Sequence, residues 1–91
     1  MKAINKLAKL ELGVKNMAPN QTVAYTTIGK VFFSYGTKVC AILNSEDIIY
    51  LTPNYRASKT TMRYVCEFLG VFSIRDVDKM IEEGKAKIED F

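Results

Sequence analysis

The chain has 91 residues, a net charge of +3 and an apolar fraction of 48%, which suits one small domain with a modest core and is too little for two. No run of about 18 apolar residues is present, so no membrane span is expected; Lys2, Lys6, Lys9 and Glu11 break up the N-terminal leucines, which argues against a signal peptide and makes the cytoplasm the expected location. Histidine is absent, which removes the usual participant in neutral-pH proton transfer, in Ser-His and Cys-His nucleophiles and in mixed Cys/His zinc sites, so a non-enzymatic protein without metal or cofactor is expected.

In chain order, Ile4, Leu7, Ala8 and Leu12 recur at helical spacing with Lys2, Lys6 and Lys9 opposite, predicting a short N-terminal amphipathic helix within residues 1–15, stopped by Gly13. Asn16 to Gln21, containing Pro19-Asn20, reads as a turn. Residues 22–52 read as sheet. Thr22–Ile28 and Val31–Tyr35 are rich in β-branched and aromatic residues around a Gly29-Lys30 turn. After Gly36 come a third strand, Thr37–Leu43, a polar turn at residues 44–47 and a fourth strand, Ile48–Thr52. Pro53-Asn54 then delivers the chain to a helix capped by Ser58 and stopped by Gly70. Met62, Val65, Cys66 and Leu69 form its predicted core face, and Lys59, Thr60, Arg63, Tyr64 and Glu67 its open face. A last helix starts at Ser73, with Asp76 in capping-box spacing and a stripe of Ile74, Val77, Met80 or Ile81, and Ile88; Gly84 weakens its end. The expected fold is α+β: a single domain with a small antiparallel meander of three to four strands, packed with an N-terminal helix and a C-terminal helical hairpin over residues 58–91.

The charge is unevenly placed, +3 over residues 1–15, +2 over 16–71 and −2 over 72–91, a mild bias that does not by itself define a nucleic-acid protein. Cys40 and Cys66 sit far apart in apolar surroundings and read as reduced core residues.

The chemistry-bearing stretch is the helix start. Backbone N–H groups and a partial positive charge at a helix N-terminus attract anions. Ser58, Thr60 and Thr61 add hydroxyls there, and Arg56, Lys59 and Arg63 add charge. Tyr35, Tyr50, Tyr55 and Tyr64 offer flat surfaces for a base. The bland alternative is that Ser58 caps, Thr60 and Thr61 fill the first turns, and the tyrosines half-bury with wet hydroxyls. Ser34-Tyr35-Gly36-Thr37 likewise reads as a tight turn or bulge, joining a site only where it lies beside residues 58–64. The phosphate-loop signature is missing, and Glu46-Asp47 reads as a solvated turn.

Phe33-Ser34-Tyr35-Gly36-Thr37-Lys38-Val39-Cys40-Ala41, Ile49-Tyr50-Leu51-Thr52, Tyr55 and Ser58-Lys59-Thr60-Thr61-Met62-Arg63-Tyr64 together resemble a family of small uncharacterised phage and prophage proteins. The family pattern is a Ser-Tyr-x-Thr strand start, a Tyr-x-Thr strand and a Ser-x-Thr-Thr helix start followed by His; here Tyr64 stands in place of the His, which puts any imidazole role in doubt. The resemblance spans residues 31–69 and implies a phage accessory protein. Such proteins often act against host defence, and by that association the leading expectation is a counter-defence inhibitor of the anti-CRISPR kind. Its partner would be a host protein or ribonucleoprotein complex bound in the host cytoplasm through residues among Ser34, Tyr35, Thr37, Arg56, Ser58, Lys59, Thr60, Thr61, Arg63 and Tyr64. The alternatives are a binder of a nucleotide signal or single-stranded nucleic acid at Ser58–Arg63, and a self-assembling structural module; a monomer or a homodimer is expected.

Overall fold

The computed structural model describes residues 11–91. Its elements are β1 (Glu11–Ala18), β2 (Gln21–Thr26), β3 (Gly29–Ser34), β4 (Thr37–Leu43), β5 (Ile49–Leu51), a 3-10 helix (Pro53–Arg56), α1 (Lys59–Leu69), α2 (Ile74–Glu82) and β6 (Ala86–Ile88). The strands lie in one sheet in sequence order. Every neighbouring pair is antiparallel except β5 and β6, which run parallel. A parallel pair needs a long crossover, and the 3-10 helix, α1 and α2 supply it.

This corrects the expected architecture. The small antiparallel sheet of three to four strands is a six-stranded mixed sheet, and the N-terminal helix with two C-terminal helices is replaced, among the described residues, by two α-helices inside the crossover. Most of the expected N-terminal helix lies outside the described residues; from Glu11 onward the chain is strand. The cause is the Pro19-Asn20 turn. With Asn20 at φ 64° it closes Ala18 onto Gln21, so the preceding residues pair with β2, and pairing overrides the weak β preference of Gly13, Lys15 and Asn16. At the other end the last helix stops at Glu82. Gly84 is left-handed (φ 76°), which turns the chain so that Ala86, Lys87 and Ile88 pair with Ile49, Tyr50 and Leu51. Ile88, expected on the helix stripe, is instead an edge-strand residue, while Ala86 is buried in the core.

The helices cover one face of the sheet. Val23, Phe32, Cys40 and Leu51 from successive strands meet Val65 and Cys66 of α1 and Val77 of α2 there, and the Phe32 and Phe68 rings stack at 5.8 Å. A second apolar cluster, Val31, Ala41, Leu43 and Tyr50, occupies the opposite face. Cys40 and Cys66 are both buried and unbonded. The β3–β4 ladder shifts register, Phe32 facing Cys40 but Phe33 facing Lys38; the extra residue, Val39, therefore joins Cys40 on the helix side, as a β-bulge requires.

Candidate functional site

Ser34-Tyr35-Gly36-Thr37 forms a two-residue hairpin turn between β3 and β4, with Ser34 paired to Thr37. Tyr35 (φ 52°) and Gly36 (φ 77°) are both left-handed, the backbone of a type I′ turn. Thr52 fixes what faces it: its hydroxyl donates to the Lys38 carbonyl at 2.7 Å and accepts from the Asn54 N–H at 3.3 Å, tying β4 to the 3-10 helix. α1 begins three residues after that helix. Ser58 is extended (φ −155°) and accepts the Thr61 N–H, while Gly70 is left-handed and closes the other end, the cap pair read from the sequence.

The sheet turn and the helix start are therefore brought together. Ser34 and Thr61 hydroxyls are hydrogen-bonded at 2.9 Å, and the Ser58 hydroxyl donates to Thr61 Oγ1 at 3.1 Å. Above them is a cleft of about 280 Å³ lined by Ser34, Tyr35, Thr37, Val39, Asn54, Ala57, Ser58 and Thr61. Five of the ten expected site residues share it, Ser34, Tyr35, Thr37, Ser58 and Thr61, but none of the cations does. Two of its hydroxyls are turned inward, Ser34 being 4% and Thr61 3% exposed; Tyr35, 61% exposed, stands at its rim.

The other expected residues go elsewhere. Arg56 donates to the Asp78 carboxylate on α2, and the Tyr55 hydroxyl donates to the same carboxylate at 3.0 Å. The Arg56 guanidinium, with the Tyr55 hydroxyl, holds the Asp78 carboxyl below its ordinary value, while burial and the hydrogen bond to Asp78 raise Tyr55. Thr60 is exposed and lines neither hollow. Tyr64, expected on the open face, is half-buried and packs on the core, its ring 5.5 Å from the Arg63 guanidinium. Lys59 and Arg63 line a second groove, of about 330 Å³, with Met62, Cys66, Phe72, Ser73 and Ile74. No carboxylate lines it, and among the described residues neither cation is in an ion pair.

Phe72 is the residue that sequence reasoning passed over. It is fully exposed, at 103% relative accessibility, where large aromatics ordinarily bury. Its position is held from both sides. Gly70 N–H bonds Glu67 and Val71 N–H bonds Cys66, locking the end of α1; the Asp76 carboxylate accepts both the Phe72 N–H at 3.2 Å and the Ser73 N–H at 3.0 Å, locking the start of α2. The available signal was an aromatic in a linker too short to fold back, between a glycine stop and a serine start.

Thiol chemistry is disfavoured. Burial pushes both the Cys40 and Cys66 thiols up, away from the thiolate that a nucleophile needs. No group of three or more potential metal ligands is assembled among the described residues, and no helix among them is long and apolar enough to cross a membrane.

Residues 12–89 match the model of a family of unknown function, DUF8033. The match runs from β1 to just past β6, and the chain belongs to that family. No curated protein and no solved structure matches it.

Proposed function

We propose that the protein is a non-enzymatic binding module, a phage-type accessory protein that acts by docking on a host protein or ribonucleoprotein, most directly one of a defence system. The observation that carries this reading is Phe72. A fully exposed ring on a backbone fixed at both sides is the kind of side chain that anchors an interface, because it buries a large apolar area on binding. The adjoining groove, floored by Met62, Cys66 and Ile74, gives a partner's apolar side chains somewhere to go. The absence of histidine and the raised thiols leave little for catalysis. The phage-type part of the reading rests on the resemblance of the Phe33–Tyr64 pattern, and the counter-defence part on what small phage accessory proteins often do.

The test is affinity capture from bacterial lysate with the wild type and Phe72→Ala side by side. A host component retained by the wild type and lost by the variant supports docking through this face. Retention by both, or by neither, overturns it.

A second reading, a binder of single-stranded nucleic acid or a nucleotide, is favoured by the same groove, where Lys59 and Arg63 are placed to meet phosphates beside a ring that a base can stack on. It ranks lower because the groove is apolar at its floor and Phe72 stands alone. Salt-dependent oligonucleotide binding, or a nucleotide stabilising the fold by about 2.7 kcal/mol at 100 times its Kd, would raise it.

A further inference from the structure

The docking reading leaves the partner's chemistry open, and the groove beside Phe72 narrows it. Lys59 and Arg63 are four residues apart on α1, so their side chains are neighbours along one side of the helix. Two like charges so placed repel. No acid is among the lining residues; the nearest carboxylates lie at its margins, Glu67 one turn beyond Arg63 in a different hollow with Lys15 and Lys30, and Asp76 at the Phe72 end, where it accepts the Phe72 and Ser73 amides. The groove thus has a positive side at Lys59 and Arg63 and an apolar floor, with one aromatic projecting at its other end.

We infer that this groove takes an acidic amphipathic helix of the partner, with two carboxylates one turn apart meeting Lys59 and Arg63, and apolar side chains entering between Met62, Cys66 and Ile74 against Phe72. The inference rests on the docking reading. The match is geometric as well as electrostatic, since acids at i and i+4 on one helix repeat the spacing of the cations at 59 and 63 on the other. An anionic membrane or a nucleic acid would answer the charge but not the apolar floor of Met62, Cys66 and Ile74.

The experiment titrates the full chain, labelled for NMR, with a synthetic amphipathic peptide of about 18 residues, leucines at i, i+3, i+4 and i+7 and glutamates elsewhere. One control carries lysines for the glutamates, another serines for the leucines; dT oligonucleotides and anionic vesicles are run in parallel. The expected result is binding of the acidic peptide with shifts confined to residues 59–74. It should weaken about tenfold on raising salt from about 50 to 300 mM and at least about tenfold in Lys59→Glu/Arg63→Glu or Phe72→Ala. Equal or better binding of the lysine peptide, of oligonucleotide or of vesicles, or no binding of any amphipathic peptide, overturns the inference. A host component still captured through Phe72 in that event would leave the docking reading standing, whereas loss of capture with intact peptide binding would remove docking alone.

Discussion

Ser34 and Thr61, 27 residues apart in sequence, share a buried hydroxyl–hydroxyl hydrogen bond of 2.9 Å that pins the end of β3 to the first turn of α1. Both side chains are nearly inaccessible, so neither hydroxyl has water as a fallback partner. Thr61→Val keeps the shape, removes the acceptor for Ser58 and orphans Ser34. The expected loss is about 1–3 kcal/mol, because an unpaired buried hydroxyl pays its desolvation in full. Urea unfolding measures it, and Ser34→Ala combined with Thr61→Val should cost less than the two single changes added together.

Tyr35 is a bulky residue held at φ 52°, a conformation that costs an L-residue about 1–2 kcal/mol. Asn-Gly is the preferred pair for a turn of this type. Tyr35→Asn is therefore expected to stabilise the fold by about 1 kcal/mol, read as a raised urea midpoint at unchanged slope. A raised midpoint would show that the left-handed backbone at Tyr35 is a net cost to the fold. An unchanged or lowered midpoint would mean that the ring contributes to the fold enough to offset the strain.

Gly29 and Gly13 separate close approach from mere presence. A Cβ on Gly29 would lie 2.1 Å from the Ile42 carbonyl oxygen, whereas a Cβ on Gly13 meets nothing within 4 Å. Because the obstacle is backbone of the neighbouring strand, Gly29→Ala should cost about 3 kcal/mol. Gly13→Ala should stay within about 0.5 kcal/mol. Thermal melts of the two variants decide the point.

The Asp78 carboxyl, held down first by Arg56 and also by the Tyr55 hydroxyl, makes stability depend on acid pH in a defined direction. Its folded-state value lies below its unfolded value. Its contribution is therefore fully present above the unfolded carboxyl range, about pH 4, and is lost as pH falls through the folded value. The melting-temperature advantage of wild type over Asp78→Asn should hold from pH 7 to about pH 5 and shrink towards pH 2. An advantage that does not change over that range would remove the ion pair as its source. The Arg56 and Asp78 side chains are partly exposed, at 48% and 38%, so the effect should also shrink in high salt.

What could be read in advance follows locality. Ser58 and Gly70 bound α1 through their own side chain and backbone freedom, and the β-branched runs of β2, β3 and β4 carry their strand preference within themselves. β6 has no such signal. Ala86-Lys87-Ile88 is a strand because β5 lies beside it after a crossover, a long-range pairing that three residues cannot encode. β1 is similar, since nothing within Glu11–Ala18 marks a strand until the Pro19-Asn20 turn folds it back on β2. In the candidate site, helical spacing grouped Lys59, Thr60, Arg63 and Tyr64 on one open face. The orientation of α1 instead packs Tyr64 on the core and leaves Met62 in the groove, and the pairing of Arg56 with Asp78 depends on where α2 docks. Ser34–Thr37 does lie beside Ser58–Thr61; the separation of those hydroxyls from Lys59 and Arg63 depends on how α1 sits on the sheet beneath.

Placing a photo-crosslinking amino acid at position 72, and separately at Thr27 in the β2–β3 turn, and irradiating bacterial cells that express each variant tests the docking role of Phe72 directly. The expected result is one dominant adduct with a host component from position 72, absent from position 27 and suppressed by Lys59→Glu/Arg63→Glu, with both crosslinker variants melting within a few degrees of wild type. No adduct from position 72, or the same adduct from both positions, would contradict it.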